Sequence, residues 1–279
     1  MRITRDRMVN VLEPAPKPRS VWQEDFDYND EVLLEMARID WDQIGPQHLS
    51  YYFLDLAFVE LQPDLLRHVF PACLKFWYET LLQDKAAASG QADFHFALVE
   101  GEVAERMLSA QERNALNAFL VDGLLDRIEA TGSLHHSDPG WIARFNSLGF
   151  VAPVILQIWE DWWLLDSPGK ALSAVQYASG LVYRQEENPL HGAPLASNDS
   201  WISGRAWRND NLTFLREVLT VDHVRNKLHA AATALWQHPE AKVAGQIAAD
   251  AGTRGDTIRA RIGDLLANLS SAERPIRRE

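Results

Sequence analysis

Two adjacent carboxylates among tryptophans are the most enzyme-like feature of this sequence. Glu160 and Asp161 lie within the segment 159–163, whose other three residues are tryptophans. Carboxylates on a hydrophobic helix have raised pKa values and can act as general acid or base. The alternative, which we favour, is that they occupy the polar stripe of the helix or pair with an arginine such as Arg144 or Arg184, because structural ion pairs give the same pattern.

Other signatures of catalysis or metal binding are missing from the sequence. His135 and His136 are adjacent near Asp138, but no H-E-x-x-H, C-x-x-C or Glu-x-x-His pattern accompanies them, so we interpret them as part of a solvated loop. Nucleophile elbows and phosphate-binding loops are also missing. The single cysteine, Cys73, has apolar neighbours and is expected to be buried. The sequence therefore predicts no catalytic, cofactor-binding or metal-binding residue.

The formal charge of −12 is concentrated near the start of the chain. Residues 1–20 have a net charge of +3, whereas residues 21–65 contain eleven acidic residues and one basic residue, with aromatic residues among them. An acidic surface repels nucleic acid and anionic membranes and attracts basic proteins, while aromatic residues are enriched at binding hot spots. The alternative is a solvated helical face, since acidic residues favour helix N-termini. The candidate partner-binding residues are Trp22, Asp25, Asp27, Asp30, Glu31, Glu35, Trp41 and Asp42.

The elements that would position these residues are helices. Apolar residues recur at helical spacing in nearly every segment, which predicts an all-α, bundle-like fold with almost no strand; the only strand candidates are 2–11 and 94–99. Ser109 and Glu112 form a capping-box pattern, and Ser167 and Thr220 are candidate N-caps.

Two segments carry more specific expectations. Pro71 lies inside a helical run, so we expect a kink or a break there. The region 141–165 is apolar on nearly all sides, which predicts a central buried helix in which at least two of Trp159, Trp162 and Trp163 are buried.

The organisation that we predict is a flexible, proline-containing tail at 1–20, an acidic N-terminal lobe at 21–131 and a C-terminal lobe at 141–270. The two lobes could equally form one continuous domain. The length of 279 residues and the 47% of hydrophobic residues are ordinary for a folded protein and exclude a disordered chain. No signal peptide or transmembrane span is recognised, so we expect a cytoplasmic protein.

A resemblance to a known type of domain rests on two runs of sequence. They are HLSYYFLDLAFVELQPDLLRHVFPACLKFWYETLL (48–82) and LSAQERNALNAFLVDGLL (108–125). Together, within about residues 40–130, they resemble small helical bacterial domains of unknown function that are similar to immunity proteins encoded beside secreted toxins, including those of type VI secretion. The resemblance implies an all-α fold, a protein partner and no catalytic residue.

The function predicted from these observations is a non-enzymatic protein that binds and neutralises a basic toxin or effector protein. Its acidic, aromatic surface would occlude the partner's active site. Two alternatives stay open: an enzyme built on Glu160 and Asp161 in a tryptophan-lined pocket, and an adaptor or chaperone for a secreted effector. The sequence predicts neither the identity of the partner nor the oligomeric state.

Overall fold

The computed structural model describes residues 5–12, 15–21, 30–58, 62–82, 94, 97–99, 102–134, 142, 145, 148–149, 152–190 and 208–270. Within these ranges the chain is helical and contains no strand, which confirms the all-α prediction. Neither strand candidate is a strand where it is described: Arg5–Val9 is a helix followed by a turn at residues 10–11, and Phe94 and residues 97–99 are helical.

The α-helices are numbered here in chain order. They are α1 Arg5–Val9, α2 Asp30–Arg38, α3 Pro46–Phe58, α4 Pro63–Leu82, α5 Val103–Met107, α6 Ala110–Glu129, α7 Val154–Trp162, α8 Pro168–Val182, α9 Asn209–Val218, α10 Val221–Ala234, α11 Ala241–Thr253 and α12 Gly255–Ser270. Two short 3-10 helices, Trp41–Gln43 and Gln185–Glu187, are also described, as are isolated helical residues at 94, 97–99, 142, 145 and 148–149.

The chain divides into two compact units, Met1–Gly123 and Leu124–Glu279. The division lies inside α6, earlier than the stretch around 132–140 where the sequence places a boundary between lobes. Each unit has its own apolar core.

The first unit is built around α4, which contacts α1, α2 and the 3-10 helix Trp41–Gln43. Pro71 lies inside α4, and the helix continues through it to Leu82, so of the kink or break that the sequence predicts, the break does not occur. An interior proline costs about 3 kcal/mol, but its neighbours Val69, Phe70 and Leu74 are fully buried. Burial contributes about 1.5–3 kcal/mol for each such side chain, which outweighs the missing hydrogen bond. Cys73 is also fully buried, as expected.

The N-terminal segment, expected to belong to a flexible tail, is part of this unit. Met8, Val11 and Leu12 are buried, and the Arg7 guanidinium forms an ion pair with the Asp122 carboxylate. Burying these three apolar side chains stabilises the ordered segment, and this gain outweighs the tendency toward disorder that the following prolines give.

The helix caps predicted from the sequence are present. Ser109 and Glu112 form a reciprocal capping box, with N···O distances of 3.3 Å and 2.8 Å. The Ser167 and Thr220 hydroxyls accept hydrogen bonds from the backbone amides of Lys170 and His223. Cap signals are reliable because donor and acceptor are only three residues apart.

The second unit is built around α8, which contacts α10, α11 and α12. Every residue from Gly169 to Val182 is buried. The centrally buried helix is therefore α8 and not the predicted 141–165 segment. Gly169 makes this packing possible: a Cβ atom at that position would lie 2.3 Å from the backbone oxygen of Glu129.

The predicted tryptophan helix is shorter and less enclosed than expected. It covers Val154–Trp162 and exposes Leu156, Gln157 and Glu160. Trp159, Trp162 and Trp163 are all buried, which confirms that at least two of them lie in the core.

Candidate functional site

The predicted acidic surface lies partly within the described residues. Glu31, Glu35 and Asp42 are exposed and Trp41 is half-buried. Asp30 begins α2, but its side chain is not described, and Trp22, Asp25 and Asp27 lie outside the described residues.

A short 3-10 helix positions Trp41 and Asp42. It is closed by a hydrogen bond from the Asp40 amide to the Gln43 side chain, with an N···O distance of 3.3 Å. Lys17 contacts the residues just before this helix: its ammonium lies 2.7 Å from the Asp40 carboxylate and 2.8 Å from the Arg38 carbonyl oxygen. Lys17 thus connects the N-terminal segment to the start of this turn through exposed contacts.

Glu35 faces the neighbouring helix α3. Its carboxylate lies 3.4 Å from Nε2 of His48, while Nδ1 of the same ring accepts a hydrogen bond from the Gly45 amide at 3.0 Å. Because Nδ1 is an acceptor, the neutral ring carries its proton on Nε2, directed at Glu35. The carboxylate remains largely exposed, with 57% of its side-chain surface accessible.

A surface cleft of about 370 Å³ lies beside this acidic turn. The described residues that line it are Met8, Trp41, Asp42, Lys75 and Glu79. The sequence indicates Trp41 and Asp42 but not the other three. A signal for two of them exists: Lys75 and Glu79 are the only charged residues of α4 after Pro71, and their spacing of four places them on one helical face.

Two arginines of the first unit form ion pairs with carboxylates of the same unit. Arg7 pairs with Asp122, and the Arg67 guanidinium lies 2.6 Å from the Glu112 carboxylate. The bond to Arg67, reinforced by the Ser109 amide, lowers the pKa of Glu112 to about 2. These ion pairs stabilise the fold and leave the net charge of the unit unchanged.

The second candidate, Glu160 and Asp161, does not lie in a hydrophobic pocket. Glu160 is exposed, and 47% of the Asp161 side-chain surface is accessible. Asp161 pairs with Lys170, with an N···O distance of 3.2 Å, rather than with an arginine as the sequence suggests. The enzyme hypothesis required apolar surroundings for these two carboxylates, and that condition is not met.

Lys170 is a buried ammonium held by carboxylates. Its side chain is 6% exposed and lies 2.8 Å from Asp166, 3.2 Å from Asp161 and 3.7 Å from Glu129. Burial alone would lower the pKa of Lys170, but the hydrogen bonds to Asp166 and Asp161 outweigh it and raise the pKa. The same contact lowers the pKa of Asp166. The cluster is a structural ion-pair network that ties α8 to the residues before it.

An aromatic cluster surrounds His223 in the second unit. The imidazole stacks on Trp159 with a centroid distance of 5.6 Å and lies 5.1 Å from the Trp163 ring. Burial, with a smaller effect of the Lys227 charge, lowers the pKa of His223 to about 4, so the ring is neutral near pH 7.

Four polar atoms of this cluster are buried without a hydrogen-bond partner. They are the indole nitrogens of Trp159 and Trp163, the Tyr177 hydroxyl and Nε2 of His223. Each is out of reach of water and surrounded by aromatic rings, several of them edge-on. N–H groups directed at ring faces gain a weak interaction of this kind.

Neither a metal-binding group nor a membrane-spanning helix is found among the residues that the structure describes. No group of three or more histidine, cysteine, aspartate or glutamate side chains is arranged to hold a metal ion. No described helix is long and apolar enough to cross a membrane.

Comparison with known proteins assigns the chain to no family. No protein-family model, curated protein or solved structure matches it.

Proposed function

We propose that this chain is a cytoplasmic, non-enzymatic protein that binds and neutralises a basic toxin or effector protein, in the manner of a bacterial immunity protein. The partner would be a secreted toxin, such as those of type VI secretion. The acidic surface of the first unit would cover the partner's active site and exclude its substrate. The resemblance of residues 40–130 to immunity-like domains is consistent with this role.

The observation that carries the proposal is the distribution of charge between the two units. Met1–Gly123 contains 21 acidic and 11 basic residues, a net charge of −10, whereas Leu124–Glu279 contains 18 and 16, a net charge of −2. A charge of this size on one compact unit steers a basic protein toward it and raises the association rate about 10-fold to 1000-fold.

The contacts within the first unit support the same conclusion. The side chains of Glu31, Glu35 and Asp42 are exposed on this unit. The half-buried Trp41 beside them supplies an aromatic anchor of the type that dominates binding energy at interfaces.

We place this activity in the cytoplasm, where the single thiol would stay reduced. An adaptor or chaperone for a secreted effector would use the same surface, and it differs in outcome because it would not abolish the partner's toxicity. Of these two functions we choose neutralisation, because the resemblance favours it.

The experiment is a protection assay with a matched charge control. Each secreted protein encoded by a neighbouring gene is co-expressed in its active form with this protein, and growth is measured. The test variant carries Glu31→Lys and Glu35→Lys. The control carries Asp222→Lys and Asp264→Lys, which make the same charge change at two exposed positions of the second unit.

We expect the parent and the control to restore growth and the test variant to fail, with circular dichroism showing that both variants remain folded. Glu35→Lys removes the contact with His48, so a small fall in its melting temperature is expected. Association with the protected toxin should be at least tenfold slower for the test variant at low salt, and the difference should shrink as the Debye length falls below ~10 Å. Failure of the parent to protect against any neighbouring gene product contradicts the proposal, as does full protection by the test variant. A further variant, Glu160→Gln, should protect like the parent; selective loss there would favour the enzyme hypothesis.

A further inference from the structure

Polar atoms without a partner are concentrated in the aromatic cluster of the second unit. Seven buried side-chain atoms of the described residues have no hydrogen-bond partner, and four of them belong to Trp159, Trp163, Tyr177 and His223. The Trp159 and Trp163 rings lie 5.2 Å apart. Each lies within 6.3 Å of the Tyr177 ring and within 5.6 Å of the His223 ring. Because every one of the four atoms belongs to such a ring or is bonded to it, all four lie in one small region.

Burial of aromatic residues does not by itself explain the missing partners. Trp162 is fully buried beside them, yet its indole N–H donates to the Ser173 hydroxyl at 2.8 Å. Buried polar groups nearly always have such a partner, and contacts with ring faces replace it only weakly. An indole nitrogen can only donate, so Trp159 and Trp163 both lack an acceptor. A ligand that suits this region therefore brings an acceptor, such as an oxygen atom.

A positive charge lies at the edge of the same cluster. Lys227 follows His223 by one turn of α10, and its ammonium donates to the Trp163 carbonyl oxygen at 2.6 Å. After burial, this charge is the second cause of the lowered pKa of His223. An ammonium has three N–H groups, and no carboxylate of the described residues pairs with Lys227. An acceptor that carries a negative charge would therefore satisfy both the indole donors and this ammonium.

The turn that follows Trp163 gives one wall of the cluster a means to move. Trp163 is the C-cap residue of α7, and Leu165 has a φ of 57°, a left-handed conformation that is unfavourable for leucine. The backbone hydrogen bonds of the turn, from Leu164 to Asp161 and from Leu165 to Trp162, are long, at 3.4 Å and 3.3 Å. Strained residues of this kind are concentrated at ligand clamps and switch regions. We therefore expect Trp163 to be the side chain that moves when a ligand binds.

We propose that this cluster is a binding site for the carboxylate of a small molecule. The carboxylate oxygens would accept hydrogen bonds from the indole N–H groups of Trp159 and Trp163 and from the Lys227 ammonium, while the apolar remainder contacts the rings. The ligand would enter from the α10 side, where His223 and Lys227 are half-buried. A cation would face an ammonium and hydrogen-bond donors and is rejected. The site lies in the second unit and does not depend on the proposed function, which concerns the first.

The test uses three flat compounds of nearly equal size and different charge: benzoate, benzamide and benzamidine. Each is titrated into the full-length protein by calorimetry. We expect saturable binding of benzoate with a Kd of about 1 mM or lower, binding of neutral benzamide weaker by about tenfold or more, and no binding of cationic benzamidine. Lys227→Gln should weaken benzoate binding about tenfold, whereas Lys242→Gln, the same change at an exposed position of the same unit, should have little effect.

The location of the site is read from the indole N–H resonances of protein labelled with isotopic tryptophan. They are assigned in the intact protein by through-bond spectra. Benzoate should shift the Trp159 and Trp163 signals downfield, because these N–H groups gain an acceptor. The Trp162 signal should change less, since its N–H is already bonded to Ser173, and the signal of the exposed Trp236 should not change.

Several outcomes would overturn the carboxylate site. They are a lack of saturable benzoate binding, equal binding of the three compounds, and equal effects of the Lys227 and Lys242 variants. Benzoate that shifts other indole signals but neither Trp159 nor Trp163 also overturns it, because the compound then binds elsewhere. Circular dichroism of both variants confirms that the fold is retained. The protection assay measures the acidic surface of the first unit, so either proposal can fail while the other holds.

Discussion

Replacing Gly169 by alanine should destabilise the protein, although alanine is the better helix former. A Cβ atom at this position would lie 2.3 Å from the Glu129 carbonyl oxygen and 2.7 Å from its carbon, so the obstacle is backbone and cannot rotate away. Overpacking of this kind costs about 1–3 kcal/mol or more, against a gain of about 0.5–1 kcal/mol in helix propensity. We expect a net loss of ~2 kcal/mol and a fall in Tm of about 4–8 °C.

Two other helical glycines provide the matched controls. Nothing lies within 4 Å of a Cβ atom built on Gly245 or Gly263, and both are exposed. Gly245→Ala and Gly263→Ala should therefore raise Tm by about 1–4 °C. Thermal unfolding followed by circular dichroism measures all three variants. A Gly169→Ala variant that melts at or above the parent temperature would refute the close helix contact and the central placement of α8.

The remaining predictions concern the aromatic core and two titrating groups. Trp162→Ala should lose ~3–5 kcal/mol of unfolding free energy in urea, whereas Trp236→Ala, at a site 72% exposed, should stay within ~0.5 kcal/mol of the parent. Because burial lowers the pKa of His223 from 6.5 to about 4, the folded state disfavours its protonation. Its contribution to stability is therefore present above pH ~6.5 and is lost as the pH falls toward 4, and His223→Phe should flatten that part of the stability profile. Arg67 lowers the pKa of Glu112 from 4.5 to about 2, so this contribution is lost between pH ~4.5 and 2, and Glu112→Gln should remove only that step.

Local sequence signals predicted the fold well where the interacting atoms are close along the chain. The caps at Ser109, Ser167 and Thr220 are contacts over three residues, and helical periodicity needs no tertiary information. The continuity of α4 through Pro71 was not predictable in this way, because it depends on the burial of the flanking turns.

Burial and ion pairing were harder to predict because both depend on tertiary packing. α8 is rich in small residues, yet packing against α10, α11 and α12 accompanies the burial of every residue from Gly169 to Val182. Asp161 finds its partner on the following helix, at Lys170, which no local pattern indicates. In the same way, Trp41 and Asp42 were identified as candidates by type and charge, while the wall formed by Lys75 and Glu79 depends on the packing of α4 against the 3-10 helix.

The buried cysteine gives the first unit a built-in probe of its own opening. Cys73 is the only cysteine of the chain and is fully enclosed in α4, and burial raises the pKa of its thiol far above the usual range. An alkylating reagent needs an accessible thiolate, so modification requires that the helix first open. The labelling rate, divided by that of a free thiol under the same conditions, then measures the fraction of molecules in which Met1–Gly123 is open, and Leu124–Glu279 contributes no signal. Added to a binding experiment, the same reagent would show whether a partner protein slows that opening.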